Sequence, residues 1–231
     1  MILDVDAGNS LVKWRIVGEQ EVGRANHADF LANVSQFSAI ERVRMAAVAT
    51  GEFAEHCRQA FAALGCELEQ AKVQPVQSGV RCGYADVTTL GIDRWLGVVA
   101  AWREFQASLL VVSVGTAITL DAVAATGNHL GGYIVPGINL QMQALHQGTA
   151  RVRPQDQLSE SPVWGTSTTS AVNNGLVKMV AAFVDHASRD LDAEHVVFTG
   201  GGGDYFFRQS KHACKVLRPA LVLDGLAVAL P

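Results

Sequence analysis

The chain has 231 residues, 49% hydrophobic and 17% charged, with a formal net charge of −4 at pH 7. That apolar share can fill one large core or two modest ones and excludes a disordered chain. The acidic balance argues against nucleic acid as a partner, and no apolar run approaches the ~20 residues of a membrane helix.

Asp4 and Asp6 stand where a secretory leader would be basic, so no signal peptide is expected. The cysteines, Cys57, Cys66, Cys82 and Cys214, show no metal-type spacing. They suit a reducing cytoplasm, with core packing as their role. The histidines form no HExxH or similar ligand pattern, so no transition-metal site is expected.

Met1–Val17 reads as a β-hairpin, with Asp6 near the end of its first strand, Gly8-Asn9-Ser10 as the turn and Lys13 on the returning strand. An acidic side chain before a phosphate loop can hold Mg²⁺ through water, and a lysine opposite can neutralise phosphate charge. An Asx turn beside a solvated lysine explains the same residues without a ligand. No GxxxxGK[ST] motif occurs, so this is not the familiar P-loop.

Val43–Thr50 is a predicted strand. Glu52–Leu64 is a helix with Phe53, Cys57, Phe61 and Leu64 on one face and Gly65 as its stop, and Cys66–Val73 is a further strand. Pro75–Gly91 is a long connection, and such connections often carry function, which singles out Tyr84. Gly91-Ile92-Asp93-Arg94 opens a helix whose apolar face is Trp95, Val98, Val99, Trp102 and Phe105. Asp93 at its start is placed to act as an N-cap.

Leu109–Val114 is a buried strand that breaks at Gly115-Thr116, and Ile118, Leu120 and Ala122 mark the strand that returns. A helix follows around Ile138, Met142 and Leu145, its N-terminus pointing back at this glycine turn. Arg151–Val163 is a polar, proline-bounded loop. Gly165–Ser170 leads into a long helix with Val172, Leu176, Met179, Val180 and Phe183 on one face. Hydroxyls at such a start commonly cap it. His195–Thr199 is a strand running into Gly200–Gly203, bare backbone on which a flat ring or sugar can lie. A flexible linker is the alternative, and a nucleotide contact is the reading favoured because linkers rarely follow a buried strand directly. Helices at Asp204–Gln209 and Leu221–Leu230 close the chain.

The hairpins repeat. Ile2–Lys13 aligns with Leu109–Leu120, which sets Gly8 on Gly115, Asn9 on Thr116 and Asp6 on Ser113. The offset is close to half the chain, as two similar domains facing each other across a cleft would produce. Two unrelated glycine hairpins satisfy the spacing equally well.

Taken together and in this order, these pieces resemble the acetate and sugar kinase, Hsp70 and actin superfamily. Within it, the chain is similar to type III pantothenate kinases, the Bvg accessory factor family. The pieces that carry the resemblance begin with Asp6–Lys13, Gly83-Tyr84 and Leu90–Trp95. They continue with Gly115–Asp121, Leu130–Gly137 and Thr199-Gly200-Gly201. The GxDRW and GGxIxPG segments are the distinctive ones.

The resemblance implies an α/β fold of two duplicated ribonuclease H-like domains, 1–106 with the first phosphate loop and 107–231 with the second. It implies transfer of phosphate from ATP to pantothenate, the first step towards coenzyme A. Carried over by position, Asp6, Ala7, Gly8, Asn9, Ser10, Leu11, Val12, Lys13 and Thr116 bind ATP, with Mg²⁺ at Asp6. Asp93 is the catalytic base. Tyr84, Gly91, Ile92, Asp93, Arg94 and Thr168 bind the substrate, and Asp121 is a candidate support for the metal.

The family is dimeric, so a cytoplasmic homodimer is expected, with the helices Ile92–Phe105 and Val172–Val184 as candidate packing faces. Many members carry an aspartate at the position of Ser113, associated with bound K⁺ or NH₄⁺. Two rival readings stay open at this point: a regulatory or binding protein on the same fold, and a kinase for another small alcohol.

Overall fold

In a computed structural model, whose described residues are 1–48, 52–149 and 158–231, the chain alternates strands and helices. Its first half runs β1 (Ile2–Ala7), β2 (Val12–Ile16), β3 (Gly23–Ala25), α1 (His27–Ala32), β4 (Arg42–Ala47), α2 (Glu52–Ala63) and β5 (Glu67–Gln70). The short pair β6 (Val76–Gln77) and β7 (Val80–Arg81) follows, then α3 (Ile92–Phe105). The second half runs β8 (Leu109–Val114), β9 (Ala117–Val123), β10 (His129–Pro136), α4 (Ile138–Gly148) and α5 (Thr168–Asp190). It ends with β11 (His195–Thr199), α6 (Gly203–Gln209), β12 (Lys215–Leu217) and α7 (Leu221–Ala229). Ala49 and Thr50 of the expected strand, and residues 151–157 of the expected loop, lie outside the described residues.

The chain divides into two units. One comprises Met1–Gln106, Gly127–His129 and Ala220–Pro231, the other Ala107–Thr126 and Leu130–Pro219. The sheet of the first unit has the order β3-β2-β1-β4-β5 and that of the second β10-β9-β8-β11-β12. The two orders correspond strand for strand. In each unit the first strand pairs antiparallel with its hairpin partner and parallel with the fourth strand. β1 and β8 begin at Ile2 and Leu109, the same offset that aligns the hairpins.

In the first unit one face of β1 and β4 buries Leu3, Val5, Val43 and Met45 against an aromatic cluster of Phe30, Phe37, Phe53 and Phe61. Each ring taken from water contributes roughly 1.5–3 kcal/mol. Phe30 lies on α1, and Phe37 on the 3₁₀ turn Val34–Phe37 that follows. No element was expected between Val17 and Val43. The signal is nevertheless local, with Asn26 accepting from Asp29 N–H as an N-cap and apolar residues at positions 30, 34 and 37.

The expected second domain, 107–231, differs from the structure at its end, because α7 belongs with the first unit. α7 lies so close to α3 that a Cβ on Gly225 would come 2.3 Å from Leu96 O. Arg44 makes a two-pronged contact with the buried Asp4, at 2.7 and 3.0 Å, and reaches Leu230 O at 3.0 Å. Arg15 pairs with Asp224 on α7 at 2.8 Å. Burial raises the pKa of Asp4, and the Arg44 guanidinium opposes the rise. Such a pair holds register because neither charge can be left alone out of water.

In the second unit Leu110, Val112, Ile118 and Leu120 meet Val177, Val180 and Val184 of α5 and Phe198 of β11. α5 starts with a capping box, in which Ser167 and Ser170 each satisfy the other's backbone N–H.

Candidate active site

The hairpin register sets Asp6 opposite Lys13, so the two side chains leave one face of the sheet together. Asp6 is only 8% exposed. Burial pushes its pKa up to about 6; Lys13 opposes the rise, and the charge of Asp93 adds to it. The two carboxylates therefore sense each other, one at the end of β1 and one at the start of α3. Ala7 and Val12 are fully buried in the core, so any contact they make with a ligand comes from backbone. Asn9, Ser10 and Leu11 are exposed, and Gly8 N–H closes the turn on Leu11 O at 3.1 Å.

Asp93 is not the N-cap of α3. Gly91 takes that position, and Asp93 lies in the first turn, where a carboxylate is favoured by the helix dipole. The half-buried carboxylate leans back over the cap, so that a Cβ on Gly91 would come 2.7 Å from Asp93 Oδ1. Ile92 is a core residue.

Arg94, 7% exposed, donates from Nη1 to Tyr84 Oη at 2.9 Å and sits over the Tyr84 ring, 5.7 Å from its centre. The other side of this arrangement is a residue the sequence did not single out. His129 stacks on Tyr84 with centroids 5.9 Å apart and planes at 13°, and Trp95 meets His129 edge-on at 6.4 Å. Trp95 Nε1 in turn donates to Gln77 Oε1 at 2.6 Å. The histidine lies 45 positions beyond Tyr84 in the chain, so no local pattern could have paired them.

In the second unit Thr116 is exposed on the β8–β9 turn, and its carbonyl accepts from Gly137 N–H at 2.9 Å. The N-terminus of α4 thus abuts the glycine turn, as expected. Ser113 on β8 stands opposite Thr119 on one side and Thr199 on the other, which makes a row of three hydroxyl residues on one face. Asp121, two residues beyond Thr119, is buried in β9.

Thr168 is exposed at the first position of α5. Beside it lies a polar cavity of about 560 Å³, lined by Ser167, Thr169, Ser170, Asn173 and Glu160 among others. In the glycine loop after β11, Gly200 has φ +85 and its Cβ would meet Val114 O at 2.4 Å, whereas a Cβ on Gly201 would meet nothing within 4 Å. Gly200 is structural, and Gly201 leaves room for a ligand.

Residues 2–190 match the family profile described as type III pantothenate kinase. A type III pantothenate kinase from Ectopseudomonas mendocina (strain ymp) is 34% identical over 247 residues, covering 100% of this chain and 99% of that protein. One from Marinobacter nauticus is 33% identical over 237 residues, covering 98% and 96%. Among solved structures, a Campylobacter jejuni protein assigned to the Baf family of transcriptional activators aligns with a TM-score of 0.65 at 22% identity, covering 97% and 95%. A Sinorhizobium meliloti protein assigned as a 2-dehydro-3-deoxygalactonokinase aligns with a TM-score of 0.58 at 15% identity, covering 99% and 95%. At these identities the likeness is one of fold, the duplicated α/β architecture with two matching five-stranded sheets.

Proposed function

As a member of the type III pantothenate kinase family, the chain is an ATP-dependent pantothenate kinase of coenzyme A biosynthesis, and we propose that Asp93 is its base and the loop Asp6–Lys13 its phosphate cradle. The observation that carries this assignment is geometric: the hairpin register sets Asp6 opposite Lys13, and Asp93 stands in the first turn of α3 with its carboxylate over Gly91. Asp93 accepts the proton of the primary hydroxyl as that oxygen bonds to the γ-phosphorus. The bond from the γ-phosphorus to the bridging oxygen breaks, and ADP leaves with the electron pair. Such transfer asks the protein mainly for alignment and charge neutralisation, which Lys13 supplies at the phosphates. Arg94, tied to Tyr84, offers a fixed cation for the substrate carboxylate.

A nucleotide-borne Mg²⁺ fits the residues present. Asp6 is a buried carboxylate whose charge a divalent cation would favour, and Mg²⁺ commonly keeps its waters and uses one or two carboxylates. Bound there, the ion would neutralise charge on the β- and γ-phosphates. The test is ADP release from purified protein with Mg-ATP and a panel of alcohols. Turnover with pantothenate alone is expected. Turnover with a different alcohol, or none at all, would replace this reading with one of the rivals.

The glycine loop is assigned to the nucleotide. Gly201→Val is expected to fold normally, because open space receives the side chain, and to raise the KM for ATP much more than that for pantothenate. Equal effects on both substrates would remove the loop from the nucleotide site.

The hydroxyl row around Ser113 predicts a weak response to K⁺. A carboxylate–cation pair at about 4 Å is worth on the order of 4 kcal/mol at an effective dielectric near 20, before desolvation. Neutral hydroxyls forgo that attraction, so Ser113→Asp is expected to create or strengthen a K⁺ dependence. Initial rate against KCl at constant ionic strength checks this. A saturable K⁺ requirement at low millimolar concentration in the unmodified protein would overturn it.

A cytoplasmic homodimer is the proposed assembly, though not through both helices expected from the sequence. α3 is buried at Ile92 and from Arg94 to Ala101, which leaves little of it for a partner. The supporting surface is in the second unit, where Tyr133, Ile134 and Met179 are more than half exposed and Tyr133 packs on Phe183 of α5. Light scattering showing a fully active monomer at micromolar concentration would sink the proposal. Among the described residues no helix is long and apolar enough to cross a membrane.

A further inference from the structure

The turn between β1 and β2 is held from outside by a side chain that belongs to none of the family motifs. His27, the first residue of α1, brings Nε2 within 2.8 Å of Gly8 O. Its ring stacks on Phe53, with centroids 4.2 Å apart and planes at 20°. Phe53 is itself a buried member of the aromatic core, 6.3 Å from Phe30 centre to centre. Asn26 fixes the backbone at the same point by capping α1. The imidazole is therefore positioned by the core of the unit, and the loop takes its orientation from the imidazole.

A carbonyl can only accept, so the contact requires a proton on Nε2. Across a trans peptide the C=O and the following N–H point in opposite directions. With Gly8 O drawn towards His27, the Asn9 N–H of the same peptide faces the other way. A glycine before this peptide leaves it free to rotate, because no Cβ restricts the backbone. Rotated, it would present a carbonyl oxygen to an anion instead of an N–H.

The second unit restrains its turn one residue further on, at the counterpart of Asn9 and not of Gly8. Thr116, the counterpart of Asn9 in the internal alignment, has its carbonyl taken by Gly137 N–H at 2.9 Å. One unit ties back a turn carbonyl with a backbone donor, the other with a side chain.

We propose that His27 is a positioning residue for ATP, locking the Gly8–Asn9 peptide with its N–H towards the phosphates and its carbonyl away from them. The proposal rests on the reading of residues 6–13 as the phosphate cradle, and the experiment separates the two. His27→Phe keeps the stack on Phe53 and removes the donor. His27→Gln removes the ring and restores an N–H at similar reach.

The KM for ATP is expected to rise about tenfold in His27→Phe, the worth of one ordinary hydrogen bond. The KM for pantothenate should stay within about twofold, and His27→Gln should recover most of the loss. Calorimetric titration of each full-length variant with a non-hydrolysable ATP analogue should give the same order of affinities. If His27→Phe does not fold, His27→Leu against His27→Gln makes the same comparison.

A merely structural histidine would raise both KM values together or gain nothing from glutamine, and either result overturns the proposal. Lys13→Ala is the control. If it weakens ATP binding and His27→Phe does not, the cradle stands and the role of His27 falls. If Lys13→Ala leaves ATP binding unchanged, the cradle reading itself falls.

Discussion

Asp93→Asn is expected to leave the fold intact while turnover drops by roughly 10²–10⁴-fold, the usual contribution of a positioned general base. The structure makes this substitution cleaner than the sequence alone suggests. Gly91, not Asp93, is the N-cap of α3, so the helix start does not depend on the carboxylate. The first-turn charge that the amide gives up is worth about 0.3–1 kcal/mol at a helix N-terminus. The amide nearly matches the carboxylate in size, so the tight approach to Gly91 is kept. Circular dichroism and the KM for ATP should therefore change little. Removing the Asp93 charge also withdraws one cause of the raised Asp6 pKa. The acidic limb of the pH–rate profile, if Asp6 sets it, should move down in any residual activity. Near-normal turnover in a folded Asp93→Asn protein would reduce Asp93 to a helix-dipole residue.

Asp6→Asn is expected to do two opposite things: abolish productive use of Mg-ATP and stabilise the nucleotide-free protein at neutral pH. Burial raises the Asp6 pKa from 3.8 to about 6 in the folded state. Below the unfolded value both states hold the proton, and between the two values the folded state holds more. Stability therefore falls as pH rises through that window, by an amount on the order of 3 kcal/mol that is fully lost above the folded pKa. An amide has no such titration. Its melting temperature should exceed that of the unmodified protein at pH 7 by several degrees, with the difference shrinking as pH falls towards 4.

The same titration gives the unmodified enzyme a pH signature. Below about pH 6 Asp6 takes up its proton, and the KM for Mg-ATP should climb by up to about tenfold per pH unit. Equal destabilisation of Asp6→Asn at pH 7 and pH 4.5 would mean that the carboxylate is held by structural bonds instead of being kept at a stability penalty for function.

The legible parts of this protein are those whose information is local. Alternating apolar residues around two glycine turns, repeated at a fixed offset, announce duplicated hairpins because strand pairing and tight turns are decided by near neighbours. The apolar face of α3 and the bare backbone at Gly200–Gly203 are local in the same sense. α1 is equally local, through its Asn26 cap and the apolar spacing that follows.

Three decisions waited for the tertiary structure. α7 joins the first unit because Gly225 lets it approach Leu96 and Arg44 holds its end, and no residue near α7 in the chain records either contact. Tyr84 receives its stacking partner from His129, on a segment that the chain reaches only after starting the second unit. The turn carbonyl of Gly8 finds its donor in His27, across two intervening strands. Each of these joins residues well apart in the chain. Closing such a loop costs entropy that only the assembled core offsets, so the pairing becomes favourable, and visible, only once the unit is folded.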